Sequence, residues 1–376
     1  MDVPKAALEP GRPALLVGTA PRVALAVARS LWSRGIPVVA VPSASNEGKI
    51  PTRAIRSYFA LPDALRQPAA FDAGLERVIE RTGAGVIMPC SDAGLAAIAR
   101  NEDALRRIAS PACPGRAVVA RVLDKSATVA YAQTIAIDVP ETYEIGATSN
   151  PREAASVMKF PIVAKPRHHV ARGGYRVRYF SNADELEAAF AADPAFETRY
   201  VVQQYVPGTG AGVAVLMRGG EPVATFVHKR LKELPASGGV SVVSESAPPD
   251  QQLIEKAVAL LRAIGWEGVA QVEFRRAPGG TDWLMEVNGR FWGTLSTAIA
   301  AGVDFPYYQW EVVHGRTPDV PRSYAAGVRV RWTHGAIMRL RERLFEPPAF
   351  MTQVLPARDE WRSFDADFAS GVRSAM

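Results

Sequence analysis

The stretch QVEFRRAPGGTDWLMEVNGRFWG, residues 271–293, places two glutamates in segments that otherwise have the composition of buried strands. Apolar residues flank both Glu273 and Glu286. Carboxylates are rarely buried without a partner. Each of these two therefore needs a cation or a hydrogen-bond donor beside it.

The two runs form a predicted β-hairpin around APGGT, where Gly279 and Gly280 can supply the positive φ of a tight turn. With the turn centred there, Glu273 lies opposite Glu286, and Asn288 shares a face with Glu286 because side chains alternate along a strand. Facing carboxylates destabilise each other, and a divalent cation between them removes that cost. Oxygen ligands without His or Cys indicate Mg²⁺ or Mn²⁺ rather than zinc.

The alternative for this hairpin is a pair of purely structural ion pairs. Arg275 and Arg290 are close enough in sequence to neutralise the two glutamates. The hairpin alone leaves both interpretations open, and the cations upstream of it favour the metal.

Cationic residues recur at the ends of apolar runs before the hairpin. Lys165 ends the strand-like segment FPIVAKP, where a lysine is costly unless it meets an anion. Gly173 and Gly174 follow in a loop whose bare N–H groups can cover phosphates. Lys229 and Arg230 end another apolar run, Lys125 opens a helix, and Arg290 follows the carboxylate strand. Together with the carboxylates, they predict a Mg²⁺–triphosphate site.

The N-terminal region alternates strand and helix patterns, as in PALLVGTA, VALAVARSLWSRG and IPVVAVP, which predicts a parallel α/β domain. Ser91 and Asp92 follow the strand pattern VIMPC, at the carboxyl end where ligands bind in such sheets. They are either substrate contacts or a plain helix cap. The dinucleotide fingerprint is incomplete, with only Gly18 in place, so an NAD-dependent oxidoreductase is a weak alternative.

Composition limits the class of protein. With 376 residues, 48% hydrophobic and 22% charged, the chain has room for several ordinary globular domains. We expect no transmembrane segment and no signal peptide, and the isolated Cys90 and Cys113 fit reduced thiols in a cytoplasmic protein. The net charge of +6 comes without a basic run interleaved with aromatics, so an anionic small molecule is expected rather than nucleic acid.

These motifs, in this order over residues 120–310, resemble the ATP-grasp superfamily, in the style of carboxylate–amine ligases and carbamoyl-phosphate-synthase-like proteins. The matching segments are DKSATVAYAQTIAIDVPETYEI, FPIVAKP with ARGGYRV, VVQQYVPGTGAGVAV, TFVHKRLKELPASGG, VEF and MEVNGRFWGTLSTAIAAGVDFP. The resemblance implies an α/β and α+β chain: a parallel α/β domain (1–118), an ATP-grasp small lobe (119–196), a large lobe with the metal site (197–320), both lobes with antiparallel sheets, and a C-terminal extension (321–376).

The resemblance also implies how ATP is held. Lys125 and Lys165 would contact ATP, with Lys165 reaching the α- and β-phosphates under the loop of Gly173 and Gly174. The interdomain hinge would read adenine through its backbone, although an amide stands at its second position where the family often has an acid. The hinge residues are Gln203, Gln204, Tyr205 and Val206.

The remaining implied roles concern the reacting groups. Lys229 and Arg230 would approach phosphate or substrate, and Arg290 would steady the transferring phosphoryl group or the acyl phosphate. Two Mg²⁺ ions would be held by Glu273, Glu286 and Asn288.

The implied activity is an ATP- and Mg²⁺-dependent ligase that activates a small-molecule carboxylate as an acyl phosphate for attack by an amine. The alternative from another class is a sensor or scaffold that binds ATP without turnover. His168 and His169 are either substrate contacts or solvent-facing loop residues. The sequence leaves the substrates and the oligomeric state open, including a homo-oligomer.

Overall fold

The computed structural model describes residues 11–143, 151–167, 177–235, 238–345 and 373–374. Its N-terminal region alternates strands and helices: β1 (Ala14–Val17), α1 (Pro21–Trp32), β2 (Val38–Val41), β3 (Ser57–Tyr58), α2 (Pro68–Thr82), β4 (Val86–Pro89), α3 (Asp92–Arg100), α4 (Glu102–Ile108) and β5 (Ser110–Pro111). The strands form one parallel sheet in the order β3-β2-β1-β4-β5. The predicted parallel α/β architecture is confirmed.

Strands β1, β2 and β4 are buried along their whole length, as expected for a parallel sheet covered by helices on both faces. Helix α1 begins with Pro21, whose missing N–H costs nothing at that position. Helix α2 ends at Gly83, which adopts the left-handed conformation of a C-cap.

A second, smaller sheet follows two linking helices. The elements are α5 (Arg116–Leu123), α6 (Lys125–Thr134), β6 (Thr142–Tyr143), α7 (Pro151–Ser156), β7 (Ile162–Pro166), β8 (Arg178–Phe180), α8 (Ala183–Ala192), α9 (Phe196–Arg199) and β9 (Tyr200–Gln204). The order is β6-β9-β7-β8, and every pairing is antiparallel. This small lobe has its own core, in which Phe196 stacks on Tyr200 with ring centroids 4.7 Å apart. Strand β9 belongs to this sheet although it follows the predicted lobe boundary at residue 196; the domain limits as a whole stay a prediction.

The third sheet forms the large lobe. Its elements are β10 (Thr209–Arg218), β11 (Glu221–Leu234), β12 (Val240–Ser246), α10 (Gln251–Ile264), β13 (Gly268–Arg276), β14 (Asp282–Asn288), α11 (Leu295–Ala300), α12 (Phe305–Val313), β15 (Arg329–Arg331), α13 (Thr333–Phe345) and β16 (Arg373–Ser374). The order is β14-β13-β10-β11-β12-β15-β16, antiparallel except between β15 and β16. Strands β15 and β16 and helix α13 come from the predicted C-terminal extension.

The N-terminal region and the large lobe share a hydrophobic core. Buried Leu31 of α1 belongs to the same cluster as Phe305 and Trp310 of α12. Beside this cluster, Ser30 donates a hydrogen bond of 2.5 Å to Asp304, and Arg34 forms a 2.7 Å ion pair with the same carboxylate. The N-terminal region is therefore held against the lobe that carries the glutamate hairpin. Within the described ranges, the helices are too short or too polar to span a membrane.

Candidate active site

A cavity of about 380 Å³ lies where the small lobe, the large lobe and the N-terminal region meet. The hairpin of β13 and β14 forms one wall, and side-chain alternation decides which residues reach it. Gln271, Glu273 and Arg275 face the cavity, whereas Val272 and Phe274 point into the core. The wall is thus polar on one face and apolar on the other.

A β-bulge adjusts the second strand of the hairpin. Glu273 pairs in register with Glu286, but Phe274 pairs with Leu284, so Met285 is the extra residue. Met285 and Glu286 consequently both line the cavity. In the turn Gly280 has a φ of +89°, while Gly279 does not need a positive φ.

A glycine sets the direction of the chain after β14. A Cβ on Gly289 would lie 2.3 Å from the ring of Trp266, so the backbone passes this ring only with glycine. The close approach places Asn288 and Arg290 on either side of Gly289, and both line the cavity.

The two facing carboxylates are electrostatically strained. Burial raises the pKa of Glu273 to about 7; the Arg230 guanidinium opposes this rise and the charge of Glu286 adds to it. Asn288 Nδ2 donates to Glu273 Oε1 at 3.1 Å and to Glu286 Oε1 at 3.4 Å. The three side chains therefore converge on one point.

The cation that pairs with Glu273 is Arg230, which also lies 3.3 Å from Glu233. The two arginines named for the structural alternative have other partners. Arg275 forms a 3.2 Å ion pair with Glu233, and Arg290 binds a carboxylate of the N-terminal region. Lys125 Nζ lies 3.9 Å from Glu286 Oε2, the second carboxylate of the hairpin.

This donor set fits Mg²⁺. Glu273 and Glu286 offer hard carboxylate oxygens. Asn288 Nδ2 faces these carboxylates, and a rotation of the carboxamide by 180° directs its oxygen to the same point as a third ligand. In the described part of the chain, no three His, Cys, Asp or Glu side chains cluster as metal ligands. A metal at the hairpin therefore depends on Asn288 as its third protein ligand.

Lys165 and Lys125 reach the cavity from two different elements. On β7, Ile162 and Ala164 point into the small-lobe core, so alternation turns Val163 and Lys165 toward the cavity. Burial lowers the pKa of Lys165 to about 8, and Nζ contacts Met285 Sδ at 3.8 Å. Lys125 is the first residue of α6, where Asp124 accepts hydrogen bonds as the N-cap.

Three of the four predicted hinge residues line the cavity: Gln204, Tyr205 and Val206. Gln203 alternates to the other face, where its side chain donates to Thr142 Oγ1 at 3.0 Å. Tyr179, which the motifs did not indicate, packs edge-on against Tyr205 with centroids 5.9 Å apart. This part of the cavity is an apolar slot.

One predicted site residue lies away from the cavity, and four further candidates cannot be placed. Lys229 is exposed and lies on the strand face opposite to Arg230, so of the two only Arg230 lines the cavity. Side chains alternate at this point of β11, so Lys229 and Arg230 face opposite sides of the sheet. Gly173 and Gly174, together with His168 and His169, lie outside the described residues.

Arg290 forms a bidentate ion pair with Asp92 of the N-terminal region, with Nε–Oδ1 at 3.0 Å and Nη2–Oδ2 at 2.9 Å. Ser91 is the N-cap of α3, because its hydroxyl accepts a bond from Gly94 N. The sequence motifs indicated Ser91, Asp92 and Arg290 separately, but not the ion pair between Asp92 and Arg290.

Several cavity residues carried no motif. Gln271 and Arg275 could have been found by extending the two-residue period from Glu273. Arg22 of α1 also lines the cavity, and no local pattern links it to residues some 250 positions away.

Comparison with known proteins agrees with the resemblance to the ATP-grasp superfamily. The family described as "ATP-grasp in the biosynthetic pathway with Ter operon" matches residues 196–336. A D-alanine–D-alanine ligase of Pseudomonas putida is 26% identical over 199 residues, which is 50% of this chain and 62% of that ligase. The chain thus spans less than two thirds of the length of this curated relative.

Among solved structures, the biotin carboxylase of Campylobacter jejuni in its β,γ-ATP complex superposes with a TM-score of 0.66 at 18% identity. The match covers 86% of this chain and 75% of that one. The L-amino acid ligase of Bacillus licheniformis gives a TM-score of 0.62 at 16% identity, covering 81% and 74%. At these identities the likeness establishes the fold.

Proposed function

We propose that this chain is an ATP- and Mg²⁺-dependent ligase of the ATP-grasp superfamily that joins a carboxylate to an amine. The observation that carries this proposal is the convergence of Glu273, Glu286 and Asn288 in a cavity between two lobes, with Lys125 and Lys165 on its other walls. Similarity to a D-alanine–D-alanine ligase and to an L-amino acid ligase supports the ligase class.

The proposed reaction has two steps. A carboxylate oxygen attacks the γ-phosphorus of ATP, the bond to the β-phosphate oxygen breaks, and ADP leaves with its electron pair. An amine then attacks the acyl carbon, inorganic phosphate leaves, and the amine proton passes to the released phosphate or to solvent. The products are an amide, ADP and phosphate.

The residues around the carboxylate pair serve this chemistry in the proposal. Glu273, Glu286 and Asn288 hold Mg²⁺, which supplies charge neutralisation at the transferred phosphoryl group when bound. Lys165 and Lys125 contribute ammonium groups to the phosphates.

Arg230 and Arg290 complete the positive wall of the cavity. Asp92 fixes the plane of the Arg290 guanidinium from the N-terminal region, so this donor is oriented before substrate arrives. Arg230 lies against Glu273, where phosphoryl transfer would take place. The apolar slot of Tyr179, Tyr205 and Val206 is suited to a purine base.

The test is a screen for ADP release with pooled carboxylic acids, first with pooled amino acids and other amines and then with hydroxylamine as the only amine. The proposal expects carboxylate-dependent ADP and, with hydroxylamine, a hydroxamate, because hydroxylamine intercepts an acyl phosphate. Binding of Mg²⁺–ATP without ADP release under any pool would instead indicate a protein that binds ATP without turnover.

A further inference from the structure

Arg22 reaches the cavity from the N-terminal region, as the second residue of helix α1. Its Nη2 donates to the carbonyl oxygen of Gly293 at 2.9 Å, just beyond the carboxylate hairpin. Its guanidinium carbon lies 4.5 Å from the ring centroid of Trp332, which precedes α13. Two elements distant in sequence thus fix the plane of this guanidinium.

The charge of Arg22 has no carboxylate partner among the described residues. The other arginines of the cavity, Arg230, Arg275 and Arg290, each pair with a carboxylate. Within the described ranges, no Asp or Glu forms an ion pair with Arg22, and no residue accepts a hydrogen bond from its buried Nε. A buried cation without an anion is costly.

A second cation aggravates this cost. Burial, and then the charge of Arg230, lower the pKa of Arg22 to about 10. Two guanidiniums that face one cavity repel each other unless an anion lies between them. An anionic ligand there would stabilise both, and would find the N–H groups of Nη1 without an acceptor among the described residues.

We infer that Arg22 anchors a carboxylate of the substrate, between helix α1 and the segment that follows the glutamate hairpin. The inference rests on the proposed ligase function and names the group recognised at that site. The guanidinium fork pairs with two oxygens of either a carboxylate or a phosphate, so the position of Arg22 relative to the other cations decides between them. The phosphates have their own cations in Lys125 and Lys165.

Space beside the guanidinium also favours a small planar anion. Gly293 lies directly against it: a Cβ at this position would be 3.4 Å from the guanidinium carbon. The absence of a side chain keeps this face of the cavity open, and Thr294 lines it next in the chain. The anchored carboxylate belongs either to the acid that is phosphorylated or to an amino acid that acts as the amine.

The experiment measures binding and does not depend on turnover. Wild type, Arg22→Met and Arg22→Lys are loaded with Mg²⁺ and a non-hydrolysable ATP analogue, and their melting temperatures are titrated with amino acids and C2–C6 mono- and dicarboxylic acids. Each acid is compared with its carboxamide. The control is Arg29→Met, which removes a charge from the exposed face of the same helix.

We expect at least one acid to stabilise wild type and Arg29→Met more than its carboxamide does. Apparent affinity for this acid falls at least about tenfold in Arg22→Met. It also falls in Arg22→Lys, which keeps the charge but loses the planar fork, while binding of the ATP analogue stays within about twofold. Equal acid binding in wild type and both Arg22 variants overturns the inference, as does a wild type that never distinguishes an acid from its carboxamide.

Kinetic measurements distinguish whether the anchored carboxylate belongs to the acid that is phosphorylated or to the amino acid that acts as the amine. They also distinguish failure of the proposed ligase function from failure of the proposed role of Arg22. A raised KM for the acid with hydroxylamine as amine identifies the reacting carboxylate. A raised KM only for an amino acid, and not for its amide, identifies the amine substrate. Arg22-dependent acid binding without any ADP release contradicts the ligase but keeps the anchor. ADP release with unchanged KM values in Arg22→Met contradicts the anchor but keeps the ligase.

Discussion

Two regions of the cavity each contain a partly buried cation without an Asp or Glu partner among the described residues, yet they are built in different ways. The small-lobe side consists of Lys165, Val163, Tyr179 and the hinge, from residues 163–206. The N-terminal side consists of Arg22, Arg290 and Thr294, which are far apart in the sequence. The carboxylate hairpin lies in the wall that both sides share. We interpret the small-lobe side as the place of the nucleotide and the N-terminal side as the place of the substrate.

The largest expected effect concerns the hairpin that both sides share. Glu286→Gln should lower carboxylate-dependent ADP release by about a thousandfold or more, because a metal ligand is lost. The fold should persist, since the substitution relieves repulsion with Glu273 in the metal-free protein. Steady-state kinetics and circular dichroism measure the two outcomes. Glu80→Gln, on the exposed face of α2, is the matched control, and wild-type activity in Glu286→Gln would refute the metal site.

A change on the small-lobe side should affect the nucleotide alone. Lys165→Met should weaken Mg²⁺–ATP binding by about tenfold to a hundredfold, because a charge-assisted hydrogen bond to phosphate is lost. Isothermal titration measures the affinity, with Lys159→Met as an exposed control from the segment just before the same strand. Loss of ATP affinity in Arg22→Met, but not in Lys165→Met, would reverse our assignment of the two sides.

A change on the N-terminal side should affect turnover and not nucleotide binding. Asp92→Asn removes the ionic partner that orients Arg290, so kcat should fall by on the order of tenfold. ATP affinity should stay at the wild-type value. Asp72→Asn breaks the comparable ion pair with Arg100 away from the cavity and serves as control. An equal loss in both variants would indicate a general stability effect.

The smallest expected effect is a pH dependence confined to the small-lobe side. Burial lowers the pKa of Lys165 to about 8 in the free protein, and bound phosphate should raise it again. The protonated form binds ATP, so affinity is highest below pH 8 and should fall about fourfold between pH 7 and 8.5. Lys165→Arg keeps its charge throughout this range and should flatten the profile. A profile that is equally steep in both proteins would mean that another group titrates.

The same contrast explains what the sequence could predict. The structure contains three elements that local sequence patterns predict. The parallel sheet follows from the repeat of strand and helix. The glutamate hairpin and the Lys165 strand follow from their apolar strand-like composition. The roles of their residues stay predictions. The bulge at Met285 was not predicted, and it brings this side chain to the cavity beside Glu286. The residue types of Lys229 and Arg230 are alike and did not show which of the two faces the cavity.

The sequence predicts Asp92 and Arg290 of the N-terminal side as separate site residues, but Arg22 and the pairings on this side could not be predicted because the contacts are long-range. Arg22 meets Gly293, and Asp92 meets Arg290, across about two hundred positions or more. Arg22 lies in no periodic pattern that distinguishes it from a solvent-facing residue. Only tertiary structure shows which cavity arginines have carboxylate partners among the described residues.

The most direct test of the central claim is the transfer of ¹⁸O. Pooled carboxylic acids labelled with ¹⁸O in both carboxylate oxygens are incubated with the protein, ATP, Mg²⁺ and pooled amines, and the released phosphate is analysed by mass spectrometry. Our account predicts one ¹⁸O atom in each phosphate released with amide, because the carboxylate oxygen stays on phosphorus when the acyl phosphate is cleaved. Phosphate without label, or no carboxylate-dependent phosphate at all, would contradict it.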